Sequence, residues 1–349
     1  MRVLVLGGTG FLGPAVVHHL VEGGCSVTVF HRGSVETDLP SGVRHIHGDR
    51  DHIASYVQEF RDAAPDVVVD MKPMSEVHAR GLVATFGGLV ERVVIVSSSD
   101  VYRAYGRLNL TEPGPPDPIP LTEDAPKRER LYADRNANPH DRAESLDLYD
   151  KILVERVVTA EPHFSTAILR LGMVHGPRSY RHFPYLKRMD DGRPAIILAE
   201  SWARWRGTLA YSEDVGAAIA LATTSTDARG PYNVGYAAPT AMADLVAAIA
   251  AAAGWTGRIV AVPESELPEH MRPGRGLTQE LILDTTRIRR ELGYEERTPR
   301  EEGLRRTVQW MRQHPPGIDD PMGRLALDYD AEDAVLRSGK TERSPGNGM

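Results

Sequence analysis

The residues with the plainest chemical consequence are three glycines near the start of the chain. In "GGTGFLG" (7–13), Gly7, Gly10 and Gly13 recur at every third position. Gly7 permits a tight turn, Gly10 lets backbone approach a bound anion, and Gly13 lets a following helix pack closely. A helix starting there offers free N–H groups and the positive end of its dipole. Set between a strand-like run and a helix-like one, this spacing predicts a dinucleotide pyrophosphate site. The next apolar run ends in "FHRG", with His31 where an acidic residue would bond a ribose and Arg32 beside it. A guanidinium suits a 2′-phosphate bidentately, so NADP(H) is favoured, with NAD(H) the alternative. In "HGDRDH", Asp49 is a candidate acceptor for the adenine amino group and Arg50 a candidate phosphate ligand. A solvated turn is the alternative for both.

A second constellation is "DLYDKILVE" (147–155). Lys151 has Tyr149 two residues before it, Asp147 four before it and Glu155 four after it. On a regular helix, residues four apart differ by about 40° in direction and residues two apart by about 160°. Tyr149 therefore shares a face with Lys151 only if the helix starts late and 147–150 is a turn. Otherwise a proton donor must be Asp147, Asp100, Tyr102 or a residue of the preceding loop, or be missing.

The elements that must position these groups alternate. "RVLVL" (2–6), "SVTVF" (26–30), "VRHIH" (43–47), "DVVVD" (66–70) and "RVVIV" (92–96) read as strands, with a helix after the glycine turn, Pro14 in its first turn and Gly23 and Gly24 ending it, and another helix over 53–64. Such alternation implies a parallel sheet with right-handed crossovers. The expected class is α/β, a doubly wound parallel (Rossmann) sheet with a smaller C-terminal substrate lobe. Residues 1–175 form the nucleotide-binding domain, 176–320 mainly the lobe with returns to the sheet, and 321–349 a tail that frays over 336–349. The stretch 103–145 is rich in proline and charge, and a connection that long predicts a lid over the site.

With 349 residues, the chain can form one large domain or two unequal ones. A formal charge of −7 argues against gripping a phosphate backbone, so no nucleic-acid partner is expected. Cys25 is the single cysteine, which excludes an internal disulfide and suits a reducing compartment. No leader precedes "RVLVLGG", and no apolar run reaches the roughly 20 residues that cross a bilayer. The reading is a cytoplasmic protein with a small-molecule substrate and no membrane partner; a homodimer is left open. No spacing suggests a metal-ligand cluster or a nucleophile–base arrangement.

Taken together, "GGTGFLG", "VVIVSSSDVY" (93–102), "KILVE" (151–155), "LRLGMVHGP" (169–177), "YSEDVGAAIALA" (211–222), "YNVG" (232–235) and "LDTTRIRRELGY" (283–294) resemble the extended short-chain dehydrogenase/reductases, the NAD(P)-dependent epimerase/dehydratase group. "VTVFHRG" and "HGDRDH" look closest to an atypical branch that includes RNA-associated chloroplast proteins. The resemblance implies that Ser98 polarises a substrate oxygen and that Lys151, followed by Glu155, binds the nicotinamide ribose and lowers the pKa of a nearby acid. It puts Asp100 where dehydratases of the group keep a glutamate, with a turn cap as the alternative. Tyr149 is the preferred proton donor. The resemblance extends the cofactor site to Thr9, Phe11, Leu12, Met71, Ser97 and Met173. It extends the substrate site to Ser99, Tyr102, His175, Arg204 and Arg206. Met173 stands where sugar-nucleotide enzymes carry an asparagine that touches the diphosphate, and a thioether cannot make that bond. The expected activity is an NADP-dependent oxidoreductase or epimerase acting on a hydroxyl or keto carbon of a small polyol-like or specialised biosynthetic metabolite. The alternatives are a dehydratase using Asp100 and a non-redox regulator or RNA-associated scaffold.

Overall fold

The computed structural model describes residues 1–34, 37–132 and 147–341. The N-terminal half runs β1 (Arg2–Leu6), α1 (Gly13–Glu22), β2 (Ser26–His31), β3 (Arg44–His47), α2 (Val57–Ala63), β4 (Val67–Asp70), α3 (Glu76–Phe86), β5 (Arg92–Ser98), α4 (Arg103–Leu108), α5 (Lys151–Thr159) and β6 (Ser165–Leu171). The second half adds β7 (Met173–His175), α6 (Phe183–Asp190), β8 (Ala195–Ala199), α7 (Glu200–Arg204), β9 (Arg206–Gly207), β10 (Leu209–Tyr211), α8 (Ser212–Thr224) and β11 (Gly230–Val234). It closes with β12 (Thr240–Ala241), α9 (Met242–Ala253), β13 (Arg258–Val262), α10 (Thr286–Leu292), α11 (Arg300–Gln313) and α12 (Tyr329–Thr341).

Seven strands form one sheet in the order β11-β6-β5-β4-β1-β2-β3, every neighbouring pair parallel. The sheet is buried on both faces, and the side-chain period of two assigns each residue to one of them. Val3 and Val5 of β1 pack with α1 and α8, whereas Leu4 and Leu6 pack with Phe60 and Phe86 from α2 and α3. Strand order reverses between β1 and β4, where the carboxyl ends leave a crevice for a ligand. β11 and α8 return from the C-terminal half to this sheet. The lobe has its own core, built by α6, α7, α9 and α11 around Trp205, Leu245 and Ile249.

Two segments are held more firmly than their polar sequences suggest. The described part of 103–145 is not a free loop. Asp117 is buried between Arg103 and Arg107, Leu121 N–H donates to the Ile282 carbonyl at 2.6 Å, and Glu123 accepts from Asn233 N–H at 2.9 Å. Residues 103–132 are thus strapped across the sheet and lobe by buried polar bonds; 133–146 lie outside the described residues. The predicted tail is likewise structured through α12. Its Glu332 is buried against Arg188 at 2.6 Å, and Val335 packs with Ala199 and Val262. A polar sequence hid this docking because the helix is held by charge pairs rather than a broad apolar stripe.

Candidate active site

The glycine loop leaves β1 with Gly7 at φ +89°, a conformation L side chains rarely adopt. A Cβ on Gly13 would sit 2.3 Å from the Gly8 carbonyl, so the start of α1 closes directly onto the loop. Gly10 is open, its nearest neighbour being the Gly7 carbonyl at 3.8 Å. No side chain caps α1, and its first N–H groups remain available to an anion. The buried Thr9 offers its carbonyl to Arg178 at 3.0 Å and to Thr37 at 3.2 Å, a brace that sequence reasoning missed. Phe11 and Leu12 are half-buried on the sheet core, and Met71 lies beside Gly7. These residues fit a dinucleotide.

At the ends of β2 and β3 the outcome is mixed. Arg32 is exposed. Arg50 is not a phosphate ligand here: both its terminal nitrogens bond Asp70, at the end of β4, one of them at 2.6 Å. The fully buried Asp70 claims this guanidinium because an unpaired buried carboxylate is costly. Asp49 accepts from Asp51 N–H at 3.0 Å and caps a turn, which is the blander of its two readings. His31 is 2.9 Å from His45, and His47 joins them. Sequence reasoning did not connect these three.

The chemistry-bearing groups meet where β5 ends and α5 begins. Asp150 is extended and caps α5, accepting from Ile152 N–H at 2.8 Å, and before it come a turn over 147–148 and Tyr149, bridged to Ser75. The helix therefore starts at Lys151. This late start frees Tyr149 from helical phase and brings its ring to 5.9 Å from Lys151 Nζ. Aspartate at the cap was the sequence signal for it. Lys151 is buried and donates to the Pro73 and Val96 carbonyls at 2.9 and 3.0 Å, leaving its third N–H. Burial lowers its pKa to about 8. Asp147 is exposed on the turn before Tyr149.

The Tyr149 hydroxyl donates to Asp100, whose other oxygen is buried without a partner. Burial pushes the Asp100 carboxyl up, with Tyr149 opposing. Burial and then the Asp100 charge push the Tyr149 phenol far above its ordinary range. This reverses the expectation that Lys151 would lower that phenol: the ammonium is aimed at carbonyls, and burial, followed by the Asp100 carboxylate, outweighs it. Ser98 ends β5, its Oγ accepting from Asp100 N–H at 3.3 Å, and Ser99 opens the short turn that follows.

Glu155 accepts two hydrogen bonds from Arg170 at 3.0 and 2.9 Å, one from Lys127 at 2.6 Å and one from Ser97 at 2.8 Å. Burial would raise its pKa, but these cations outweigh it and hold the carboxyl low. Ser97 is buried and its hydroxyl is thereby committed to Glu155. Tyr102 is also core: its hydroxyl donates to Asn233 at 2.6 Å and accepts from Arg170 at 3.0 Å. His175 is packed between Thr307 and Tyr236, where burial lowers its pKa to about 4. Arg204 pairs with Glu200 and Arg206 with Glu280 on the surface, and Arg204 lines a shallow cleft with Glu264, Arg275 and Glu280.

The lobe instead opens a cavity of about 500 Å³ reached by Met173 and lined by Arg181, Arg188, Arg275, Tyr185, Trp202 and His182. Trp202 stacks on Trp205 at 5.1 Å and donates to the Tyr185 hydroxyl at 3.1 Å. His182 is buried with Nε2 unpartnered. Met173 lines this cavity, and so does Trp202, from the same stretch as the expected Arg204 and Arg206. The arginines come from loops and helices whose convergence no local spacing encodes.

Residues 3–235 match the model of the NAD dependent epimerase/dehydratase family. A 2′-dehydrokanamycin reductase of Streptomyces kanamyceticus is 30% identical over 241 residues, 66% of this chain and 60% of that protein. A UDP-glucose 4-epimerase of Streptomyces lividans is 26% identical over 234 residues, 56% of this chain and 62% of that protein. The chain thus spans about three-fifths of the length of these relatives. Among solved structures, the UDP-glucose 4-epimerase of Thermus thermophilus in complex with NAD matches 90% of this chain and 100% of its own, with a TM-score of 0.65 and 21% identity. The chain belongs to the NAD dependent epimerase/dehydratase family.

Proposed function

We propose that this protein is an NADP-preferring reductase that delivers hydride to a keto carbon of a small polyol-like metabolite. The observation that carries the reading is the buried Asp100–Tyr149 pair beside Lys151. Dinucleotide supplies the hydride when bound in the glycine loop. The chain's own groups then manage the proton. Tyr149 gives its proton to the substrate oxygen, and Ser98 orients that oxygen. Asp100, which accepts the Tyr149 hydrogen bond and whose carboxyl burial pushes up, relays the replacement proton to Tyr149. Lys151 holds the ribose with its remaining N–H and offsets the negative charge that passes through the pair.

The substrate class follows from the cavity. Guanidiniums of Arg181 and Arg275 disfavour a polycationic amino sugar, while Trp202 and Tyr185 suit an apolar ring face. An uncharged or anionic polyol is favoured over the amino sugar named for the Streptomyces kanamyceticus relative. A second reading, epimerisation of a sugar nucleotide, draws on the same arginines, and Met173 counts against it.

The test is oxidation of NADPH by the purified protein against a panel of keto-sugars and keto-cyclitols, with UDP-glucose epimerisation assayed alongside. Turnover of a neutral or anionic ketone, with NADPH preferred to NADH and the preference lost in Arg32→Ala, supports the proposal. Epimerisation of UDP-glucose without net NADPH oxidation, or equal use of both cofactors, contradicts it.

A further inference from the structure

We propose that His31, His45 and His47 form a binding site for one divalent transition-metal ion of the zinc class. β2 and β3 pair in parallel with His31 opposite His47, and His45 lies two residues earlier on the same face of β3. The intervening Phe30 and Ile46 turn into the opposite core, so strand alternation delivers all three imidazoles to one side. Their ligating nitrogens lie within 4.8 Å of one another. Zinc–nitrogen bonds of about 2.0–2.1 Å in a tetrahedron require nitrogens roughly 3.3 Å apart. The exposed His45 and His47 rings can turn to reach that spacing, with solvent as fourth ligand.

The hydrogen bonding shows what the ion would displace. Gly33 N–H donates to His31 Nδ1 at 3.2 Å, so the proton of His31 sits on Nε2, which is 2.9 Å from His45 Nδ1. An ion takes the place of that shared proton. His31 then carries its proton on Nδ1, and the Gly33 peptide must turn aside. Gly33, at φ +77°, is the residue type that turns most freely. The site adjoins the exposed Arg32, so a bound dication adds charge where the cofactor's 2′-phosphate is proposed to sit. That consequence rests on the cofactor reading; the metal site does not.

The experiment titrates tag-free full-length protein with Zn²⁺ by calorimetry, and with Co²⁺ by its visible absorption. One equivalent is expected to bind, with the intense bands of tetrahedral cobalt. His45→Ala and His47→Ala should each weaken binding by at least the roughly 10–100-fold that even outer-shell changes cost, without altering thermal stability. No saturable binding, or unchanged affinity in the His45→Ala/His47→Ala double variant, would overturn the site. NADPH titration with and without Zn²⁺ separates the second claim. Tighter NADPH binding that is lost in the double variant supports the coupling, and equal affinity overturns it.

Discussion

Two places along the carboxyl ends of one sheet carry the polar chemistry of this protein, and they are built oppositely. Where β5 meets α5, Asp100, Lys151 and Glu155 are buried and Tyr149 nearly so, and their partners are fixed by hydrogen bonds. Where β2 and β3 end, Arg32, His45 and His47 stand in solvent. In the first region low dielectric makes every contact strong and every loss expensive. In the second, the energy is realised only when a ligand arrives. Burial therefore separates a preorganised proton site from an adaptable recognition edge.

The largest effect should come from Lys151. Lys151→Ala is expected to cost turnover on the order of a thousandfold, within the range of acid–base and electrostatic contributions. The charge of Lys151 also sets a pH limit. Its folded pKa of about 8 lies below the ordinary lysine value. Activity that needs the ammonium should fall as pH rises through about 8, and Lys151→Arg should move that limb upward. The unfolded chain keeps its proton to about pH 10.4, so folding stability from this group should rise between about 8 and 10.4. Urea titrations across that window check the sign.

Glu155→Gln comes next, as a stability effect. It leaves the buried Arg170 and the half-exposed Lys127 without their shared anion, and breaking such a pair typically costs about 3–5 kcal/mol. Thermal or urea unfolding measures it; a loss below about 1 kcal/mol would mean the network is replaceable. At the small end, Arg204→Ala and Arg206→Ala remove surface pairs worth about 0–1 kcal/mol. Both variants should keep parental KM and kcat.

What the sequence revealed follows the same division between local and long-range causes. The glycine loop was legible because its turn, anion approach and helix packing all depend on residues within one short stretch. The sheet was legible because apolar runs report burial on both faces. Lys151 could be located, but the partner of its neighbour Glu155 could not. Arg170 from β6 and Lys127 from the strap hold it, and neither is near it in sequence. Arg50 was lost to Asp70 for the same reason. The three histidines were invisible because their meeting depends on strand register, and the arginines of the lobe cavity because theirs depends on the packing of separate elements.

The central claim is that Tyr149, held by Asp100, passes the proton. The most direct measurement is kcat of Tyr149→Phe beside Asp100→Asn, once a ketone substrate turns over. The account predicts that Tyr149→Phe loses about 10²–10⁴-fold in kcat with KM little changed, and that Asp100→Asn shifts the pH profile as well as lowering the rate. A Tyr149→Phe variant with parental kcat, in a protein that Lys151→Ala inactivates, would contradict it and move the donor elsewhere.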